Sequence, residues 1–193
     1  MALTRLRLPG GLVNNFGQNI VGAGELFTTG KVFYVDSVTG SDGNPGEDPV
    51  FPLATIDQAV TNARANKGNV IVLMPLHAQN IANATTFQID KAGLRVVGLG
   101  SGRNRPRFTF TATAGSVELD SADCEIQNVV FVAGISAVVA GINVDANDVT
   151  IKNCEFNFSA STFDFKVHID ATSVQRVNVV GCKFFTEDLA GSE

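Results

Sequence analysis

Phe87-Gln-Ile89-Asp90, Val117-Glu-Leu119-Asp120, Ile142-Asn-Val144-Asp145 and Val167-His-Ile169-Asp170 recur along the second half of the chain, with aspartates 30, 25 and 25 residues apart. Within each stretch apolar residues alternate with polar ones, as a half-buried strand requires. Each stretch stops at Asp, whose carboxylate bonds nearby backbone amides and favours turns. A period of that length built from short strands predicts a solenoid.

A second segment follows each of the first: Val96-Val-Gly98-Leu99, Ile126-Gln-Asn128-Val129-Val-Phe131, Ile151-Lys-Asn153-Cys154-Glu-Phe156 and Val179-Val-Gly181-Cys182-Lys-Phe184. Each repeat therefore holds at least two strands and two corners. The column Gly98, Asn128, Asn153, Gly181 contains the two residue types that best tolerate positive φ, so it predicts a left-handed corner once per coil. Stacked parallel strands lie about 4.8 Å apart. Like side chains then form ladders, and Phe131, Phe156 and Phe184 are expected to make one interior stack.

The chain has 193 residues, a 45% hydrophobic fraction, 17% charged residues and a formal net charge of −5. That is enough for one domain with a continuous core. The acidic balance argues against nucleic acid, which needs clustered Lys and Arg. The nearest basic cluster, Arg103, Arg105 and Arg107, reads as a solvated loop. No run approaches the roughly 18 apolar residues of a membrane span, and the opening Met-Ala-Leu-Thr-Arg lacks a signal region. Synthesis in a cytoplasm without membrane association is expected.

Cys124, Cys154 and Cys182 fall on repeat columns and read as small core hydrophobes. Cys154 and Cys182 should stack on neighbouring coils, but a reducing compartment and an odd count argue against a bridge. With no CxxC pair, a metal site is not expected either.

Three parts are expected. Residues 1–30 are rich in Gly and Asn and have too much glycine for a stable helix, so they read as an attachment arm ordered by a partner. Residues 31–68 hold a strand at Val32-Phe-Tyr-Val35, a turn-rich loop and an amphipathic helix with Ile56, Ala59, Val60 and Ala63 on one face. Thr55 with Gln58 fits a capping box, and Lys67-Gly68 fits the helix end. A helix there suits a cap over the first coil. Residues 69–193 form the solenoid, beginning with the apolar strand Val70-Ile-Val-Leu73. The fold class expected is all-β: a short single-stranded right-handed parallel β-helix of about five coils, with an N-terminal capping helix and arm.

The series Phe33-Tyr-Val-Asp-Ser-Val-Thr-Gly-Ser-Asp-Gly-Asn-Pro-Gly46, Pro52-Leu-Ala-Thr-Ile-Asp-Gln-Ala59, Gly68-Asn-Val-Ile-Val-Leu-Met-Pro75 and His77 resembles the opening of right-handed parallel β-helix proteins of tailed bacteriophages, the pectate-lyase-like and tailspike-like group. The resemblance covers roughly residues 31–185. It implies a virion protein, commonly trimeric, among tail spikes, depolymerases and head-decorating proteins. Unlike the enzymatic members, this chain carries few coils and no C-terminal trimerisation or cleavage module.

Catalysis is not expected. Five coils rise only about 24 Å, little room for an extended row of sugar subsites. Glycoside hydrolysis wants two carboxylates about 5 to 9 Å apart across a groove. The column Asp90, Asp120, Asp145, Asp170 reads instead as four equivalent corner turns. Lyase chemistry would need a basic group beside a calcium-binding acid cluster, and Lys152, Lys166, Arg176 and Lys183 are scattered. His77 stands where similar phage sequences often have Pro-Gly-His, here with Leu76 for the glycine, and a lone His at a strand end is read as structural. His168, between Val167 and Ile169, should face outward. Asp36, Asp42, Glu47 and Asp48 have the oxygens for calcium but not an EF-hand spacing, so turn chemistry is favoured.

These readings converge on a non-enzymatic virion protein without cofactor or metal, a homotrimer that decorates or cements a phage head by binding the major capsid protein or other virion proteins. The arm residues Arg5, Arg7, Leu8, Leu12, Phe16 and Ile20 are the candidate attachment positions. The alternative is a short tail spike or fibre module that binds surface glycans through outward Gln127, Lys152, His168 and Arg176, although Tyr34 is the single Tyr and Trp is absent. A depolymerase with a site between subunits is a third reading.

Overall fold

The structure, a computed structural model, describes residues 28–185. The candidate attachment residues Arg5, Arg7, Leu8, Leu12, Phe16 and Ile20 lie outside the described residues. Strand β1 (Val32–Val35) leads into helix α1 (Ile56–Asn62), and the solenoid follows. Its first coil is β2 (Val70–Leu73), β3 (Ala78–Ile81) and β4 (Phe87–Ile89). The second is β5 (Arg95–Gly98), β6 (Arg107–Phe110) and β7 (Val117–Leu119). The third is β8 (Glu125–Gln127), β9 (Val130–Ala133) and β10 (Ile142–Val144). The fourth is β11 (Thr150–Lys152), β12 (Glu155–Phe158) and β13 (Ile169–Asp170), and β14 (Asn178–Val180) and β15 (Lys183–Phe184) begin a fifth.

Every pairing between these strands is parallel. The strands assemble into three sheets, ordered β1-β2-β5-β8-β11-β14, β3-β6-β9-β12-β15 and β4-β7-β10-β13. The protein is thus a parallel β-solenoid of four complete turns, and each turn has three strands where the sequence showed two. The strand that the sequence hid follows the corner at Asn128 or Asn153. Val130–Ala133 and Glu155–Phe158 run on almost directly from the preceding strand, so the two read as one segment.

One column of rings fixes the register of the core. Phe108 pairs with Phe131, Phe131 with Phe156, and Phe156 with Phe184 on successive coils. Their centroids are 6.2, 5.2 and 5.1 Å apart. Phe108, Phe131 and Phe156 are fully buried, whereas Phe184, expected inside, is 45% exposed on the last described coil. Phe165 enters from the loop before β13 and meets Phe110 and Phe156 edge-on. Such contacts add to the area term that already favours burying large rings.

The helix sits on the first coil through buried Ile56, Ala59 and Val60, with Ala63 buried just beyond it. Thr55 caps it by accepting from the Gln58 amide at 3.3 Å, but the Gln58 side chain turns forward to Asn62 instead of closing the box. The helix ends at Asn62, earlier than Lys67-Gly68 implied, because the Ala63 amide already returns to Ala59 and Val60. Gly68, at φ 63°, makes a separate turn into β2.

The connections differ from edge to edge. Between the second and third sheets they lengthen coil by coil, spanning residues 82–86, 111–116, 134–141 and 159–168. The longest displaces the fourth rung by two residues. Ile142 pairs with Ile169 and Asn143 with Asp170, so Asp170 leaves the column of Asp90, Asp120 and Asp145. His168 is consequently not outward. It is half-buried against Phe156, Phe165 and Phe184, while Val167 is exposed.

Truncating the centre of the ring column removes a fully buried side chain between two coils. Phe131→Ala is expected to cost about 3–5 kcal/mol in denaturant unfolding. Val38→Ala, on an exposed turn, should change stability by less than about 0.5 kcal/mol.

Candidate functional site

The corner column divides into two mechanisms. Asn128, Asn153 and Gly181 hold φ of 59°, 53° and 64°, the left-handed bend that their residue types permit. Gly98 is in register with Asn128 but is not left-handed, which corrects the expectation of four equal corners. Its coil makes a longer turn through the 3-10 segment Gly102–Asn104. Glycine is needed at 98 for proximity, since a Cβ there would stand 2.3 Å from the Asn128 carbonyl oxygen. The Asn128 side-chain amide donates to the carbonyls of Gly98 and Gly100 at 2.8 and 3.0 Å and ties the long turn to the short one.

Arg105 completes this edge, and it is not a solvated loop residue. Its guanidinium donates to the carbonyls of Val129 and Asn153 at 3.1 and 2.5 Å and pairs with Glu155 at 3.2 Å. One cation thus satisfies carbonyls at the corners of two successive coils. Arg103 and Arg107 remain exposed.

The turn-rich loop uses its acids on itself. Asp36 accepts from the Val38 amide and the Thr39 hydroxyl, and Asp48 accepts from the Val50 amide. Asp42 accepts from the amides of Ala54 and Thr55 and from the Thr55 hydroxyl, fastening the loop to the start of α1. Glu47 pairs with Lys31 at 2.5 Å. The four carboxylates have separate partners and do not converge.

A different acid group converges on the third sheet. In-register Gln88, Glu118 and Asn143 form a polar ladder beside the corner acids Asp90, Asp120 and Asp145. Carboxylate oxygens of Glu118, Asp120 and Asp145 lie within 4.8 Å of one another. Gln88 donates to Asp120 at 2.6 Å, and Ser116 and Asn143 donate to Glu118, the latter at 3.0 Å. Three hard oxygens at this spacing are chemically suited to share a divalent cation or to accept from hydroxyls. Sequence reasoning found Asp120 and Asp145 but missed Glu118. The signal was available, since the outward position two before a corner Asp faces the same side as its neighbours.

The residues offered for glycan contact are scattered. Gln127 and Lys152 are in-register neighbours on the first sheet. Arg176 lies in the turn before β14, paired with Asp148 through both ends of its guanidinium. His168 lies in the connection just before β13.

His77 is fully buried, and neither ring nitrogen has a hydrogen-bond partner within the described residues. It follows Leu76, which has φ 67°, and its ring lies 5.5 Å from that of Phe108. Burial pushes its pKa down to about 4, against the pull of the Asp36 carboxylate. At one end of the solenoid a cleft of about 770 Å³ is bordered by Thr29, Lys31, Asn62, Arg64, Lys67 and Asn69. It lies beside the last turn of α1, where the described chain begins.

No protein-family model, curated protein or solved structure matches this chain.

His77 gives a pH test. Above about pH 6.5 the imidazole is neutral in folded and unfolded chains alike, so it adds no slope. Between about 6.5 and 4 only the unfolded chain takes up the proton. Stability should therefore fall by about 3 kcal/mol across that window from this residue and level off below it. His77→Leu should abolish that component in denaturant titrations repeated at successive pH values.

Proposed function

We propose that this chain is a non-enzymatic structural protein of a bacteriophage virion, a head-decoration or cement protein that binds the major capsid protein as a homotrimer. The parallel solenoid is the scaffold that the resemblance of residues 31–185 implies. The observation that carries the assembly role is a row of exposed apolar side chains on its last described coil. Val179 and Val180 on β14 and Phe184 and Phe185 at β15 are each more than 40% exposed. Adjacent strands that present Val and Phe to solvent favour association through the apolar area they offer. A rigid body with such a surface suits a subunit that clamps its neighbours. The glycine-rich arm supplies the other attachment, through Arg5, Arg7, Leu8, Leu12, Phe16 and Ile20.

A second reading, a short tail-spike module that binds host glycans, draws on Glu118, Asp120 and Asp145 with Gln88 and Asn143. Paired acceptors and amides on one face are the groups that recognise sugar hydroxyls. A depolymerase would use the same carboxylates, with one of them supplied across a subunit seam.

Copurification with intact particles at low and high salt, quantified per major capsid subunit, separates the two. High copy number lost on deletion of residues 1–30 is the expected outcome, whereas a few copies confined to tails supports the spike. Val180→Asp with Phe184→Asp should lower incorporation while leaving the ring column of the first four coils folded, as read by near-UV circular dichroism.

A further inference from the structure

The last two coils bring two thiols into one column. Thr150, Ile151 and Lys152 pair with Asn178, Val179 and Val180, and Glu155 pairs with Lys183, so Cys154 stands in register with Cys182. In-register positions on adjacent parallel strands are about 4.8 Å apart, inside the roughly 4.4–6.8 Å between Cα atoms that a disulfide spans. Both cysteines follow a left-handed corner residue, Asn153 at φ 53° and Gly181 at φ 64°, so the two backbones turn alike and the side chains leave in the same direction. Both thiols are free, Cys154 donating to the carbonyls of Ile126 and Lys152 and Cys182 to those of Ile151 and Val180. Cys154 is buried and Cys182 half-buried on a coil whose strands are exposed. Solvent reaches the second thiol.

We propose that Cys154 and Cys182 are an oxidisable pair that closes to a disulfide and staples the fifth coil to the fourth. The oxidant is a low-molecular-weight disulfide such as oxidised glutathione. The Cys182 thiolate attacks one sulfur of that disulfide, breaking its S–S bond, forming a mixed disulfide and releasing one small thiolate. Cys154 gives its proton to solvent and attacks Cys182 Sγ, which forms the protein S–S bond and expels the second small thiolate. Two protein thiols are oxidised, and one small disulfide is reduced to two thiols.

The local chemistry assigns these roles. The adjacent Cys154 thiol, with Arg105 nearby, draws Cys182 down to about 7, while burial pushes Cys154 well above the usual thiol range. The accessible thiol is therefore the first nucleophile. Cys124 cannot compete, because it lies in a different column, one residue before Glu125, with its sulfur on the carbonyls of Lys91 and Ala122.

The test is full-length protein incubated with oxidised glutathione at about pH 8, alkylated under denaturing conditions and mapped by mass spectrometry. The expected product has a Cys154–Cys182 linked peptide, Cys124 as the free thiol and no glutathione. Amide exchange across 178–184 should slow by about 400-fold, the factor that closing a loop of this length removes from local opening, and dithiothreitol should restore it. Cys182→Ser, a change on the exposed coil, should retain the fold and lose the protection, and Cys124→Ser should retain both fold and protection. Three free thiols, a stable glutathione adduct at Cys182, or a Cys182–Cys182 bridge between two chains would each overturn the proposal.

Discussion

Everything in this molecule follows from the in-register stacking of parallel strands. When each coil lies about 4.8 Å above the last, a residue's main neighbour is its own counterpart one turn away, and a side chain is acceptable only if it tolerates a copy of itself. Phe108, Phe131 and Phe156 satisfy this inside the prism, where rings overlap and no polar group is stranded. Outside, Arg95 stands against Glu125 at 3.4 Å and Gln88 against Glu118, so that opposite or neutral partners alternate where like charges would repel. At the corners the constraint is sterner, because every turn must bend at the same height. Asn128 and Asn153 achieve this with a left-handed residue, and Arg105 draws their carbonyl edges together.

The same constraint decides what could be read from the chain. Columns with a fixed period, such as Asp90, Asp120 and Asp145 or Ile126 and Ile151, were legible because register converts spacing directly into contact. The third strand of each coil was not, since only two residues separate it from the strand before in the later coils. Asp170 and His168 were misplaced because an insertion at 159–168 shifts the register without disturbing the local alternation on which the reading relied. Gly98 shows the limit of residue-type arguments. Glycine serves equally for positive φ and for close approach, and only the neighbouring Asn128 carbonyl distinguishes the two.

The candidate site was less legible than the scaffold. Asp36, Asp42 and Asp48 are loop acids whose spacing alone pointed to turns, and each accepts from a nearby amide. The group at Glu118, Asp120 and Asp145 required two coils and two positions of one strand to be superposed, so it emerges from three-dimensional stacking and from no local motif. His77 looked ordinary at a strand end. What sets it apart is an environment of Phe108 and its neighbours that the sequence does not write beside it.

The uneven connections give the prism a direction. The first edge is clamped by Arg105 and the Asn corners, where a single added atom collides with backbone, as at Gly98. The edge between the second and third sheets lengthens from residues 82–86 to 159–168 while the strands on either side keep their pairing, and its longest loop returns Phe165 to the core. Variation is thereby channelled. One seam can accept new residues by insertion while parallel pairing is kept, as β13 does when it meets β10 two residues out of step, so diversification of this scaffold should concentrate there, with the other corners holding the rise per turn constant.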